Sequence, residues 1–201
     1  MRPSADLVSE DHRGTPEAPG RVVTLIERAY WESLGDTHQS APDRVWGVAY
    51  RIKRDKVPEV RDYLDIREIN GYSIQYTPFH PADGAPTIQT LVYIGTPENP
   101  QFVGVQDPQA LAQHISRSHG PSGPNPDYLF GLETALNELG DEARDDHIHD
   151  LSNRARSILG LSQVPSGKIA TVLPQLAVPE EEAHHRLEHS VEEQEETEKP
   201  S

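Results

Sequence analysis

The sequence predicts an α+β fold in which a β-sheet curls into an open barrel with flanking helices. Segments with strand-like apolar patterns dominate the first half of the chain, and segments with helical apolar spacing dominate the second half. A run of strands followed by a run of helices is typical of α+β domains. The 201 residues are sufficient for one domain with a substantial core and a tail.

Four strands are predicted from apolar and β-branched runs bounded by turn residues. The first, Arg21–Glu27, has apolar residues on both faces, which is typical of a strand inside a sheet. An irregular insertion over Tyr30–Asp43 separates it from the second strand, where Gly47 and Ala49 leave room for a ligand or another backbone. The predicted strands are Arg21–Glu27, Val45–Ile52, Tyr72–Phe79 and Thr87–Ile94.

Four helices are predicted from capping residues and apolar spacing. Val57, Val60 and Leu64 recur at helical intervals, and Asp55 stands at the expected N-cap. The later helices begin at Asp107-Pro108, at Asn125-Pro126 with a stripe of Leu129, Leu132, Leu136 and Leu139, and near Asp145.

Charge is distributed unevenly along the chain, whose net charge is −15. Nine glutamates against Arg186 and Lys199 make Glu180–Ser201 strongly acidic. The sequence therefore predicts an irregular segment over residues 1–10, a domain over residues 11–160 and a disordered acidic tail over residues 161–201. The chain has no basic stripe for a nucleic acid and no apolar run long enough to enter a membrane, so neither is an expected partner.

Metal binding is not predicted. The chain has no cysteine, which excludes thiolate ligands. His147 and His149 are two residues apart on a predicted helix, so their side chains do not share a face.

Glu68 lies between the helix predicted to include Leu64 and the strand predicted to begin at Tyr72. Asn70-Gly71, between them, is a turn signal. A carboxylate at such a junction can be held by rigid elements on both sides and still face a cleft. A solvated glutamate beside Arg67 is the alternative, and spacing alone favours it.

Five sequence blocks stand in a characteristic order between Ser9 and Gly160. They are DHRGTPEAPGRVVTL (Asp11–Leu25), VWGVAYRI (Val45–Ile52), YLDIREINGY (Tyr63–Tyr72), LVYIGTPENPQF (Leu91–Phe102) and GPSGPNPDYLF (Gly120–Phe130). In order and spacing they resemble the ChaC-like γ-glutamylcyclotransferases, and fungal members most of all. The resemblance implies the barrel fold of that family. It also implies cytoplasmic breakdown of glutathione, or of a related γ-glutamyl peptide, to 5-oxoproline and cysteinylglycine with no metal or organic cofactor.

The resemblance also implies which residues form the active site. The catalytic glutamate of the family lies in an RExxGY motif, which stands here as Arg67–Tyr72, so Glu68 is the expected proton shuttle. Tyr72 and Tyr128 are expected to line the substrate pocket, although core packing explains Tyr128 equally well.

The beginning of the chain departs from the family pattern. Members begin with a strand that ends in a loop of the Gly-Tyr-Gly-Ser-Leu type, whose amides hold the γ-glutamyl group, and this sequence has no such motif. We therefore expect a first strand to be missing, an edge of Arg21–Glu27 to be unpaired, and turnover to be at least about a hundredfold slower than with the loop. A non-catalytic relic or a regulatory binding protein of the same fold is the alternative to an active enzyme.

Overall fold

The computed structural model describes residues 2–9, 12–35, 44–67 and 71–161. Besides Glu68, two longer parts of the sequence predictions lie outside these residues. One is the acidic tail from residue 162 onward, and the other is most of the insertion that follows the first predicted strand.

The main sheet contains β1 (Arg2–Ser9), β2 (Gly20–Ile26), β3 (Tyr72–Phe79) and β4 (Ile88–Gly95). Their spatial order is β1-β2-β4-β3. The β1–β2 and β3–β4 pairs are antiparallel, whereas β2 and β4 run parallel and are joined at one residue pair, Ile26 with Gly95. A short second sheet pairs β5 (His119–Gly120) with β6 (Gly123–Pro124). Within the described residues the main sheet stays open, with β1 and β3 at its edges.

In the described part of the chain, five α-helices accompany the sheets: α1 (Arg28–Ser33), α2 (Val57–Arg67), α3 (Pro108–Ile115), α4 (Asn125–Glu138) and α5 (Asp146–Ile158). α1 overlaps the start of the insertion that was predicted to be irregular. The predicted N-cap at Asp107 is confirmed, and Asp145, near the predicted start of the last helix, is also an N-cap. Asp107 Oδ1 accepts a hydrogen bond from the Ala110 amide at 2.8 Å, and Asp145 Oδ1 accepts from the His147 and Ile148 amides. Asp55 lies within a 3₁₀ turn that precedes α2, so it is not the predicted cap of that helix. Within the described ranges, no helix has both the length and the apolar character needed to cross a membrane.

The main core lies between the three C-terminal helices. Its buried members are Leu111, Ala112, Ile115, Leu129, Ile148, Leu151 and Ala155. Leu132 and Leu136 pack against these residues, so the leucine stripe of α4 is confirmed as the inward face. Val23 of β2 also packs there, which joins the helices to the sheet.

The N-terminal segment predicted to be irregular instead forms β1. It pairs with β2 from Arg2 opposite Ile26 to Ser9 opposite Gly20, with one irregularity between Pro3 and Ala5. The segment lacks alternating apolar residues, and its strand conformation depends on backbone hydrogen bonds from β2, which no local pattern reveals. β2 lies between β1 and β4 in the sheet order, so its predicted interior position is confirmed, and β1 pairs with it along its length. β4 pairs with it only at Ile26, so most of that edge of β2 has no strand partner among the described residues.

The predicted second strand is also wrong. Residues 45–52 are all described, and none of them is in a strand. Val48 is 61% exposed and Tyr50 is 82% exposed, so the apolar alternation in this segment does not correspond to a buried face. The reason is that a strand requires a pairing partner as well as a pattern, and none of the described strands pairs with this segment.

Candidate active site

The helix–strand junction predicted around Glu68 is present on both flanks. α2 ends at Arg67, and β3 begins at Tyr72. Glu68 itself, with Ile69 and Asn70, lies outside the described residues. The flanks nevertheless show that the RExxGY motif joins two regular elements, as the sequence predicts.

Gly71 is the first described residue after Glu68 and is held by the loop that follows β4. Its carbonyl oxygen accepts hydrogen bonds from the Thr96 amide at 2.9 Å and from Thr96 Oγ1 at 3.3 Å. Its φ is +79°, in the left-handed region that favours glycine. A Cβ atom here would lie 2.3 Å from Asn99 Cγ, so no side chain fits. Gly71 is therefore held in place by the loop over residues 96–102.

Tyr72 lies where three strands meet. It pairs with Gly95 of β4, and Gly95 also pairs with Ile26 of β2. Tyr72 is half-buried, while Gly95 and Ile26 are buried. The predicted substrate-contacting tyrosine thus stands beside the one residue pair that joins the two halves of the sheet.

Tyr128 is attached to the middle of β2. Its hydroxyl oxygen accepts a hydrogen bond from the Val23 amide at 3.2 Å, and the Arg13 guanidinium carbon lies 5.9 Å from its ring centroid. Val23 precedes Ile26 by three residues, which is about 10 Å of strand. Tyr128 therefore contacts β2 directly, whereas Tyr72 lies on β3 and is separated from β2 by β4.

Two loops rich in turn residues pack closely beside β2. The backbones of the two loops are in contact at Gly120. A Cβ atom there would lie 2.3 Å from the His12 carbonyl oxygen and 2.4 Å from the Gly14 nitrogen. The Ser122 amide donates to the His12 carbonyl at 2.9 Å, and the Arg13 side chain donates to the Pro124 carbonyl at 3.1 Å. Residues from the first and last family blocks are thus in direct contact.

Asn125 has a different role from the predicted helix cap. Pro124 is the N-cap of α4, and the buried Asn125 side chain bonds to β2 instead. Its Oδ1 accepts from the Arg21 amide at 2.7 Å, and its Nδ2 donates to the Arg21 carbonyl at 2.7 Å. The Asn125-Pro126 pair indicates a structurally important position. The hydrogen-bonding partner of Asn125 is Arg21, which is 104 residues away, and no sequence motif connects the two residues.

Glu133 is a second candidate carboxylate, which the sequence did not single out. It lies on α4 and is buried. Its Oε1 accepts from His149 Nδ1 at 3.0 Å, and its Oε2 accepts from the Arg156 guanidinium. Both oxygens are therefore engaged by α5, so Glu133 links two helices and is not available as a proton shuttle.

The remaining charged groups do not define a second site. Among the described residues, no three His, Asp or Glu side chains are grouped so that they could hold a metal ion. The hydrogen bond and the charge of Asp150 raise the pKa of Arg154, but Arg154 also donates to Gln109 Oε1 at 3.0 Å. The hydrogen bond between Arg154 and Gln109 therefore links α5 to α3.

The position of Gly47 also differs from the prediction, which places it on the small-residue face of a strand beside the cleft. In the described part of the chain, no atom lies within 4 Å of a Cβ built on Gly47.

Comparison with known proteins supports the sequence resemblance. A family model described as ChaC-like protein matches residues 6–158. The glutathione-specific γ-glutamylcyclotransferase of Schizosaccharomyces pombe is 41% identical over 152 residues, which is 74% of this chain and 75% of the relative. The enzyme of the same name from Saccharomyces cerevisiae is 38% identical over 165 residues, which is 65% of this chain and 71% of the relative.

A solved structure is similar as well. The crystal structure of the γ-glutamyl cyclotransferase specific to glutathione from yeast superposes with a TM-score of 0.63 at 32% sequence identity, covering 78% of this chain and 85% of that chain. The mixed α/β architecture predicted from the sequence is therefore confirmed by a structural relative. The family match over three quarters of the sequence leads to one conclusion: this chain belongs to the ChaC-like family.

Proposed function

We propose that this chain is a glutathione-specific γ-glutamylcyclotransferase, which releases 5-oxoproline and cysteinylglycine from glutathione. The observation that carries the proposal is that relatives of this name are similar across the region that contains the Glu68 motif. Because those relatives are named as enzymes, they favour catalysis over the alternative of a binding protein with the same fold. Glutathione is the thiol that keeps the cytosol reduced, so we place the activity in the cytoplasm.

The proposed reaction is an intramolecular aminolysis. The α-amine of the γ-glutamyl group attacks its own γ-carbonyl carbon, and a new C–N bond closes a five-membered lactam. The bond to the cysteinyl nitrogen then breaks. The nucleophile belongs to the substrate, so proximity supplies much of the rate, and the protein needs no nucleophile of its own. Neither a metal nor an organic cofactor enters this proposal.

Glu68 is the proposed proton shuttle. Its carboxylate takes a proton from the attacking amine and returns it to the departing cysteinyl nitrogen, acting first as general base and then as general acid. The hydrogen-bonded turn at Gly71 supports this role, because it holds one side of the motif in a defined position. The full engagement of Glu133 by α5 supports it further by removing that buried carboxylate from consideration.

Tyr72 and Tyr128 are the proposed substrate-binding residues. Both tyrosines are half-buried, Tyr128 against β2 and Tyr72 against the end of β4 that meets β2. Their rings would shield the γ-glutamyl group from water. The net charge of −15 disfavours a nucleic acid as a partner.

The test is turnover of glutathione by the purified chain and by its Glu68→Gln variant. We expect 5-oxoproline release by the wild-type chain and a loss of at least about a hundredfold in the variant, because the amide cannot accept the proton. Glu59→Gln is the matched control. Glu59 is an exposed residue of α2 that pairs only with Lys56 among the described residues, so this variant should retain activity.

Two outcomes would overturn the proposal. One is undetectable 5-oxoproline release by the wild-type chain. The other is full turnover by Glu68→Gln, which would exclude Glu68 from the proton transfer even if the chain were an active cyclotransferase.

A further inference from the structure

Arg13 is a half-buried cation in the loop between β1 and β2. Its Nη1 donates to the Pro124 carbonyl at 3.1 Å, and its guanidinium carbon lies 5.9 Å from the Tyr128 ring centroid. Neither a carbonyl nor an aromatic ring has a net negative charge, and within the described part of the chain Arg13 forms no ion pair with a carboxylate. A charge partly removed from water is stabilised by pairing, so Arg13 retains the capacity to bind an anion.

The arginines of α5 provide a comparison. Arg154 pairs with the Asp150 carboxylate at 2.8 Å, and Arg156 pairs with the Glu133 carboxylate. These two guanidinium groups are neutralised by the protein itself and link helices or turns of a helix. Arg13 differs from them because its contacts hold the guanidinium group without neutralising it.

The held guanidinium group of Arg13 is suited to a carboxylate. A guanidinium group has five N–H donors in a planar fork, and two parallel donors match the two oxygens of a carboxylate. The Pro124 carbonyl accepts from Nη1, which leaves other donors of the fork for a ligand. Because Pro124 and Tyr128 already restrict the side chain, binding costs less conformational entropy than it would for a free arginine.

The neighbour of Arg13 connects it with the proposed substrate. Tyr128 is a proposed substrate-binding residue, and Arg13 lies over its ring. Glutathione has two carboxylates, and its ammonium group must lose a proton before the amine attacks, so the reacting form is an anion. The chain has a net charge of −15, which repels an anion at long range. Binding of this substrate therefore requires a local cation.

We propose that Arg13 is a substrate-binding residue whose guanidinium group forms an ion pair with a carboxylate of the γ-glutamyl peptide. This inference rests on the proposed function. Glutathione has one such group on the α-carbon of its γ-glutamyl residue and another on its glycine, and the two have the same charge and geometry. The ion pair makes the site selective, because a site built to pair with a polar group rejects an analogue that lacks it.

The test combines Arg13→Gln with two analogues of glutathione. In one analogue a carboxamide replaces the glycine carboxylate, and in the other it replaces the α-carboxylate of the γ-glutamyl residue. Both analogues keep the amine and the γ-carbonyl that react. We expect Arg13→Gln to lower kcat/KM for glutathione by about ten- to a hundredfold, mainly through KM, because the carboxylates take no part in the bond changes.

The analogues identify the carboxylate that Arg13 binds. For the analogue that already lacks this group, Arg13→Gln should change kcat/KM by less than about twofold, since the interaction is absent in both proteins. For the other analogue the loss should equal the loss for glutathione. A purely structural role of Arg13 would lower turnover of all three substrates alike.

Two further variants control for charge and for folding. Arg117→Gln makes the same change at an exposed arginine that also donates to a carbonyl, that of Gln113 at 3.0 Å, and it should leave all three substrates unaffected. Arg13→Lys keeps the charge without the planar fork, so it should show a smaller loss with the same selectivity among the substrates. Circular dichroism melting establishes that each variant is folded, and Arg13→Lys supplies the comparison if Arg13→Gln does not fold.

The outcomes separate this inference from the proposed function. A wild-type chain that is active on glutathione, combined with equal losses for all three substrates in the Arg13 variants, would overturn the inference alone. Unchanged kcat/KM for glutathione in Arg13→Gln would do the same. A wild-type chain that releases no 5-oxoproline would overturn the proposed function, and the role of Arg13 with it.

Discussion

At the scale of single residues, glycines mark where the backbone has no room for a side chain. Gly120 is buried where the loop after α3 crosses the loop between β1 and β2, and the atoms around it belong to the backbone. Gly131 lies on the exposed face of α4, where no described atom is within 4 Å of the position that a methyl group would take. The same substitution therefore tests two different physical effects.

We expect Gly120→Ala to lower the free energy of unfolding by about 2 kcal/mol or more, because backbone atoms cannot move aside as a flexible side chain can. Gly131→Ala should raise it by up to about 1 kcal/mol, since alanine is the better helix former. Urea unfolding of both variants measures the difference. Equal effects would show that the two loops tolerate a methyl group between them.

At the scale of elements, α4 and α5 are joined by a buried ion pair as well as by apolar contacts. Glu133 and Arg156 bond to each other, and the Arg156 guanidinium lies 4.7 Å from the Phe130 ring centroid. Removing one member of a buried pair leaves the other charge without compensation, which is the costly part.

Glu133→Gln and Arg156→Met should therefore each destabilise the protein by about 3 kcal/mol, and the double variant by clearly less than the sum. The control is Asp150→Asn, which breaks a partly exposed ion pair on α5 and should cost less than about 1 kcal/mol. A double-mutant cycle measured by urea unfolding gives the coupling energy. Simple additivity would show that the two side chains act independently.

At the scale of the whole molecule, the acidic tail remains a prediction from composition. Residues 180–201 have nine glutamates and few apolar side chains, so burial there cannot offset the entropy of ordering. Without this segment, the remaining chain has a net charge of −8 instead of −15.

Deleting residues 180–201 should shift the melting temperature by less than about 2 °C, because no packed contacts are expected to be lost. Calorimetry of the shortened chain checks this. Replacing the nine glutamates by glutamine in the full chain separates the effect of charge from that of length. A clear drop in melting temperature on deletion would mean that the tail docks.

Local signals predicted the strands β2, β3 and β4 and the helices α2 to α5. They missed α1, whose residues overlap the insertion that was predicted to be irregular. The caps at Asp107 and Asp145 and the leucine stripe of α4 act over a few residues, so the sequence contains all the necessary information. The helix end and the Asn-Gly turn likewise predicted both flanks of the Glu68 junction.

Pairing between distant segments could not be predicted in the same way. β1 lacks an apolar alternation and forms because β2 is beside it, whereas residues 45–52 have the alternation and no described partner. The contacts of Asn125 with Arg21 and of Asn99 with Gly71 join positions far apart in the sequence. Such residues become visible only after the chain is folded.

The single Ile26–Gly95 link within the main sheet has a consequence for local unfolding. We therefore expect the β3–β4 hairpin to open as its own cooperative unit, while β2 and the C-terminal helices keep their shared core. Tyr72 belongs to one unit, and Tyr128 belongs to the other. A ligand held by both tyrosines would bridge the units, so part of its binding free energy would appear as slower amide hydrogen exchange in the hairpin.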